Sequence, residues 1–246
     1  SADPVDDRVR GTLQHYGANR TGRWAGRLLQ VQNLPQNHLP DLEAAREAVR
    51  TRDASWVRAL YGSVSDTLSQ LIRTALIPET GCRFAVSDFS AIEARLVAWL
   101  SGEEWRQEVF ASGGDIYCAS AAQMFHVPVE KHGVNGHLRQ KGKVAELALG
   151  YGGGAGALTA MGALKMGLTE EELPDIVQRW REASPRIVSL WRRVDEAARQ
   201  AVTYKIWSDD LGYGLRIGCE SGMMMIDLPS GRRLHYCHPR IEEGKF

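Results

Sequence analysis

The sequence predicts a mostly helical α+β fold, and three observations carry that expectation. Through the middle of the chain, apolar residues recur at helical spacing in runs that Pro and Gly bring to an end. From Tyr204 onward the pattern changes to short alternating runs punctuated by Gly, as in antiparallel strands and hairpins. The composition, 43% hydrophobic and 24% charged over 246 residues, is that of an ordinary globular chain with a real core, about one or two domains long.

The elements follow in order. To about Pro40 the chain is rich in Gly, Asn, Arg and Pro and reads as loop with short strands. From Leu42 to about Ile77 it is helical: Asp41 stands as a cap, Val64, Leu68, Leu71, Ile72 and Ala75 keep helical spacing, and Pro78 ends the run. Thr80-Gly81 turns the chain into a strand in which Phe84 and Val86 alternate with polar neighbours. That strand leads through Asp88 into a helix whose Ile92, Leu96, Trp99 and Leu100 form one apolar face. Helices are expected over about 104–111, 115–125 and 138–150, followed by the Gly-rich turn at 150–156 and a short helix over 157–167. A long helical segment runs from Glu170 to Thr203, broken at Pro185, with Val188, Leu190, Trp191, Val194 and Ala198 as its buried stripe. There is no internal repeat.

Composition excludes several classes. No apolar run approaches ~18 residues and the opening SADPVDDRVR lacks a signal-peptide core, so the expectation is a cytoplasmic protein with no membrane partner. Cys82, Cys118, Cys219 and Cys237 show no CxxC spacing, and although His235, Cys237 and His238 lie together, adjacent ligands on a strand point to opposite faces, so neither zinc nor disulfides are expected. The 30 basic and 30 acidic side chains cancel, which at first sight speaks against a nucleic-acid binder. Yet 24 of the cations are Arg and six are Lys. Arg8, Arg10, Arg20, Arg23 and Arg27 share one stretch, and Lys131, Arg139, Lys141 and Lys143 another, so the neutral total conceals local positive charge.

Three groups of residues carry chemistry. Asp88, at the end of a strand that opens into a helix with Glu93 five residues on, is a platform for a divalent cation, or simply a helix cap. Arg139, Lys143, Leu147 and Tyr151 recur every four residues, with Gly152 next. On a helix this stripe grips polyphosphate with its cations and packs sugar or base against its apolar members; otherwise it is a solvated basic face, with Glu146 pairing Lys143 or Arg139 bridging elsewhere. The following glycines have no preceding strand and no Gly-Lys-Ser/Thr, so they are not a dinucleotide or Walker loop. Thr21-Gly22-Arg23 with Gln32-Asn33-Leu34-Pro35 is a turn carrying groups able to read a minor groove.

Read together and in order, these segments resemble the family A DNA polymerases, the DNA polymerase I class, and most of all their phage and prophage branch. TGR…QNLP is similar to that family's TGR…QNIP, with Gln32 nine positions after Arg23 as in the family. DFSAIEARL resembles motif A (DYSQIELR), and R-x-x-x-K-x-x-x-L-x-x-x-YG resembles motif B. Asp115-Ile116-Tyr117 is similar to the family's DIH. The resemblance is direct over about 21–152 and looser beyond.

It implies a partial right-hand polymerase fold, fingers helices plus an incomplete palm sheet. Residues 1–40 and 79–100 would be palm segments, 41–78 a helical insertion, 101–203 the fingers, and 204–246 a β-rich palm-side segment. The implied activity is template-directed deoxynucleotidyl transfer to a primer 3′-hydroxyl, with magnesium (manganese as substitute) as cofactor and primer-template DNA and deoxynucleoside triphosphates as partners. Asp88 and the Phe89 carbonyl would bind metal, Glu93 would exclude the ribose 2′-hydroxyl, and Arg139 and Lys143 would hold the triphosphate, Lys143 also protonating pyrophosphate. Leu147 and Tyr151 would pack by the nascent pair, and Arg23, Gln32, Asn33 and Gly152 would contact DNA.

The departures are Ala91 for Gln, Tyr117 for His and Leu147 for an aromatic, which alters discrimination at the sugar 3′ position. Motif C, His-Asp-Glu, does not occur, and Asp209-Asp210 and Asp227 are poor substitutes. The expectation is therefore a polymerase fragment inactive alone. The alternatives are a non-catalytic DNA-binding module and a metal-dependent phosphohydrolase built on Asp88.

Overall fold

A computed structural model describes residues 3–18 and 21–241. Arg20 of the opening basic stretch and residues 242–246 of the tail lie outside the described residues. Contacts divide the chain into two compact units, Ser1–Ser87 and Asp88–Phe246.

The first unit opens with an antiparallel pair, β1 (Leu13–Ala18) and β2 (Arg23–Gly26), whose register shifts between Gln14 and Ala18. Gly22 closes the hairpin at φ +67°; a Cβ there would lie 2.7 Å from the Tyr16 ring, so only glycine fits both the backbone and the space. Three helices follow: α1 (Leu42–Arg50), α2 (Ala54–Tyr61) and α3 (Val64–Leu71). Each begins where a short polar side chain satisfies the free amides of the first turn. Asp41 accepts from Glu43 and Ala44, Asp53 from Ser55 and Trp56, and Ser63 from Asp66. The expected cap at Asp41 is present.

Of the apolar residues at helical spacing on α3 and the turn after it, only Leu71 is buried. Leu68 and Ile72 are exposed, while Thr67, Gln70 and Leu71 are buried. Gln70 turns inward because its Oε1 accepts from the amides of His38 (2.7 Å) and Leu39 (3.0 Å), satisfying a loop that has no partner of its own. Arg73 anchors the same connection by donating to the carbonyls of Leu34 and Pro35. The strand expected at Phe84–Val86 also does not form: 82–89 is irregular and exposed throughout. Alternation alone cannot make a strand; the ladder needs a neighbouring edge, and none of the described strands pairs here.

The second unit is α4 (Ile92–Ser101), α5 (Glu104–Ala111), α6 (Ile116–Phe125), α7 (Leu138–Leu149), α8 (Ala155–Ala160), α9 (Glu172–Glu182) and α10 (Pro185–Tyr204), then a three-stranded antiparallel sheet, β3 (Arg216–Glu220), β4 (Met223–Asp227) and β5 (Arg233–Cys237). The break at Pro185 is where expected, with Pro185 as the first residue of α10, where its missing amide costs nothing. One core cluster gathers Met124, Val144, Leu149, Leu158, Ile176, Trp180 and Ile187 from α6 to α10. A second packs Ala197, Ala198, Ala201 and Val202 of α10 on Ile217, Cys219 and Met224 of the sheet. No helix among the described residues is long and apolar enough to cross a membrane.

On α4 the sequence pointed to the wrong side. Ile92, Leu96 and Trp99 are partly to largely exposed, and Ala98 is the residue fully buried. A small side chain lets the backbones of α4 and its neighbours approach, and Trp99 instead stacks at 4.0 Å on Tyr213.

The tightest crossing joins α6 and α7. A Cβ on Gly142 would lie 2.2 Å from the Tyr117 carbonyl oxygen and 3.0 Å from the Ala121 amide nitrogen, both backbone atoms that cannot yield. Gly142→Ala is therefore expected to destabilise by about 1–3 kcal/mol, against the gain of about 1 kcal/mol that alanine brings at an unobstructed helix position. Urea unfolding followed by circular dichroism measures the difference.

Candidate functional site

The candidate site of the second unit is built on α7. Arg139, Lys143 and Leu147 lie one above another at four-residue spacing, and Tyr151 follows on the turn beyond the helix end. Leu147 is exposed although its neighbours Glu146 and Ala148 are buried, so the stripe is the helix's outward edge. Leu147, Tyr151 and Glu93, from the first turn of α4, line one cavity of about 140 Å³, whose floor reaches Val97, Arg106, Trp180 and Ile187. Three of the expected nucleotide-binding residues are thus brought together. Gly152 takes φ +79° in the turn after Tyr151, a conformation that suits glycine.

Arg139 is held in place. Its Nε donates to Asp115 Oδ2 at 2.8 Å, and its guanidinium lies 5.2 Å above the Tyr117 ring. Asp115 also caps α6, accepting from the amides of Tyr117 (2.9 Å) and Cys118 (3.2 Å). Burial pushes the Asp115 carboxyl up, but the Arg139 hydrogen bond, the two amides and the Arg139 charge together leave it below the ordinary carboxylate value. The Asp115 hydrogen bond, opposed by burial, raises Arg139 above its own ordinary value.

A carboxyl depressed on folding contributes stability above its unfolded pKa, and that contribution disappears as pH falls through the lower folded value. The wild-type chain should therefore melt about 2–4 °C above Asp115→Asn near neutrality. The gap should close as pH falls below about 4, read from thermal melts of both proteins across pH.

Lys143 is half-buried, and no hydrogen bond or ion pair engages its ammonium among the described residues. Of the two arrangements expected of an ordinary solvated face, the Arg139 bridge occurs, to Asp115, and the pairing of Lys143 with Glu146 does not. Glu146 points the other way, into the core. Its Oε2 pairs with Arg106 Nη1 at 2.6 Å, and its Oε1 accepts from Ser120 Oγ (2.7 Å) and Trp180 Nε1 (2.9 Å). Arg106 Nη2 donates to Ser184 Oγ at 2.8 Å, and the guanidinium lies 4.4 Å from the Trp105 ring and 5.0 Å from that of Trp180. Both charged side chains are almost wholly buried, 2% and 4% exposed. Sequence reasoning missed this cluster, since its members lie on separate helices and only Glu146 belongs to a motif.

Asp88 and Phe89 are exposed on the irregular segment before α4. Arg95 fastens that turn, donating from Nε to the Ser90 carbonyl at 2.9 Å and lying 4.4 Å over the Phe110 ring. Ala91 sits there at φ +52°, a left-handed conformation that is unfavourable for alanine. The Asp88 carboxylate and Phe89 carbonyl are hard oxygen donors suited to a divalent cation. Among the described residues, however, no three His, Cys, Asp or Glu side chains come together to hold a metal ion. These two donors do not make a complete ion site.

In the first unit, Arg23, Gln32 and Asn33 are exposed. Arg23 starts β2, and its amide donates to Thr21 Oγ1 at 3.4 Å. Gln32 and Asn33 sit in a 3₁₀ turn, where Asn33 Nδ2 donates to Gln30 Oε1 at 2.7 Å. Gly26 gives Gln32 room: a Cβ there would stand 2.9 Å from Gln32 Nε2.

Comparison with known proteins agrees with the motif order. A family model described as DNA polymerase family A matches residues 1–208. The DNA polymerase of Bacillus phage SP02 is 59% identical over 237 residues, which is 96% of this chain and 36% of that protein. The thermostable DNA polymerase I of Thermus aquaticus is 31% identical over 204 residues, 80% of this chain and 20% of its own length. DNA polymerase I of Pseudomonas aeruginosa is 28% identical over 199 residues, 80% and 18% respectively. The chain spans little more than a third of the phage relative and a fifth or less of these two bacterial ones.

Proposed function

Because this chain belongs to DNA polymerase family A, we propose that it is the part of a template-directed DNA polymerase that receives the incoming deoxynucleoside triphosphate. The observation that carries this reading is the Lys143 ammonium, unpaired among the described residues and one helical turn from both Arg139 and Leu147, the latter lining a cavity with Glu93 and Tyr151.

In this reading Arg139 and Lys143 bind the triphosphate, Arg139 with its planar fork and Lys143 as a compact point charge. A phosphate oxygen takes the place of Asp115 on Arg139, exchanging one charge-assisted hydrogen bond for another. Lys143 has a proton to give to the leaving pyrophosphate. Leu147 and Tyr151 offer apolar surface to sugar and base. Leu147 has no ring to stack, so discrimination at the 3′ position differs from that of an aromatic residue. Glu93, at the cavity mouth, stands against a 2′-hydroxyl. Arg23, Gln32, Asn33 and Gly152 contact the primer-template, the second partner, in the cytoplasm. Magnesium, with manganese as substitute, would neutralise phosphate charge when bound. Asp88 and the Phe89 carbonyl would supply two of its oxygen ligands, with the rest of the set coming from elsewhere in the polymerase.

The test is a titration of residues 1–246 with a fluorescent deoxynucleoside triphosphate. Binding is expected, and Lys143→Ala should weaken it about tenfold or more, the equivalent of a charge-assisted hydrogen bond. Steeply salt-dependent DNA binding with no triphosphate affinity would instead identify a DNA-binding module. Triphosphate hydrolysis without template would identify a phosphohydrolase. Primer extension is not expected from these residues alone, since no second carboxylate joins Asp88 among those described. Magnesium-dependent extension by the chain alone would overturn that expectation.

A further inference from the structure

Glu146 has two cations within reach of its backbone position. Lys143 lies three residues back on the same helix, at a spacing that ordinarily pairs on a helix surface. Arg106 lies on α5, forty positions away in sequence. The structure shows Glu146 with Arg106.

We infer that Arg106 is a positioning residue of the nucleotide site: by holding Glu146 in the core, it keeps the Lys143 ammonium free for an anionic ligand. This rests on the reading of Lys143 as a phosphate-binding group. Three contacts fix Glu146 inward, from Arg106 Nη1, Ser120 Oγ and Trp180 Nε1, and they leave its side chain 4% exposed. Arg106 is itself fixed by Ser184 and by the rings of Trp105 and Trp180. Its Nε has no hydrogen-bond partner among the described residues, so a buried donor is left unsatisfied in this arrangement. A buried ion pair is poor evidence for stability, because an apolar pair of similar volume often serves as well. What an apolar pair cannot do is hold a carboxylate away from a neighbouring lysine. Without Arg106 the Glu146 carboxylate would lose its partner in the core and turn toward water, and Lys143 is the nearest cation along the helix. The site would then carry a neutral pair where it now carries a positive charge.

The experiment compares the chain with Arg106→Met and Arg106→Met/Glu146→Gln, all confirmed folded by circular dichroism at low temperature. The double variant removes the carboxylate charge while the Gln oxygen still accepts from Ser120 and Trp180. Two quantities are read: affinity for a fluorescent deoxynucleoside triphosphate, and the rate of Lys143 acetylation by acetic anhydride relative to Lys165, from peptide mass spectra. Arg106→Met should weaken nucleotide binding about tenfold, the equivalent of one charge-assisted hydrogen bond, and slow Lys143 acetylation by about twofold or more. The double variant should restore both to near the parent values. A purely structural role moves neither acetylation nor rescue. If the double variant is as impaired as the single, or if Lys143 reacts equally fast in all three, the inference is wrong.

Should Arg106→Met not fold, Arg106→Lys and Ser120→Ala loosen the hold on Glu146 more gently. They should shift both readouts in the same direction by smaller amounts, and no shift in either would overturn the inference. The acetylation arm needs no nucleotide. Absence of nucleotide binding by the parent chain therefore counts against the functional reading, while acetylation decides the role of Arg106.

Discussion

Arg106→Ala should destabilise the second unit by about 3–5 kcal/mol, the range for removing one partner of a buried ion pair. The reason is the charge left behind. Glu146 is 4% exposed, and its Oε2 would face a cavity once filled by a guanidinium. Trp105 and Trp180, whose rings lie 4.4 and 5.0 Å from the Arg106 guanidinium, would lose that contact as well. Because Ser184 precedes α10 and the other partners belong to α5, α6, α7 and α9, the loss reaches five helices at once. Urea unfolding followed by Trp fluorescence measures it. Replacing both charges, as in Arg106→Met/Glu146→Gln, should recover much of the loss, since the principal cost is an uncompensated charge rather than a missing attraction. A single variant as stable as the parent would show that water reaches this pair.

The second large effect concerns chemistry. In a polymerase carrying this chain, Lys143→Ala should slow primer extension on the order of 10²–10³-fold, the usual cost of removing one preorganised electrostatic group from a reacting centre. The Lys143 ammonium is half-buried and unpaired among the described residues, so it has no bond to them to break in meeting phosphate. Arg139 differs, since its charge is already shared with Asp115 through Nε. Arg139→Ala should therefore be less damaging in binding than Lys143→Ala. Single-turnover extension separates the two steps: loss of rate at saturating nucleotide belongs to Lys143 as a transition-state group. An unchanged saturating rate would confine it to ground-state binding.

Much of the helical framework could be read directly. Asp41 caps where a short carboxylate precedes a periodic run, and Pro185 begins a helix as its fixed φ requires. The stripe from Arg139 to Leu147 needed only a helix to fall on one edge. Three other features were not legible. Phe84 and Val86 alternate as in a strand, yet 82–89 stays irregular because no described strand pairs with it. Ile92 and Leu96 looked like core residues, yet α4 packs through Ala98, whose small size is a virtue only once a neighbour is known. Gln70 belongs to no apolar pattern, and its burial follows from the amides of His38 and Leu39, which require an acceptor.

By itself, then, the sequence determined where the chain is helical, the break at Pro185, and which family's ordered motifs the chain carries, for these depend on spacing and on contacts within a few residues. Tertiary structure decided which side chains were left available to act. Whether Glu146 neutralises Lys143 or Arg106 cannot be settled along the chain, because both choices satisfy charge. It is settled by burial: the core brings a guanidinium, a hydroxyl and an indole N–H to one carboxylate, a set of donors the helix surface cannot match, and so leaves Lys143 its charge.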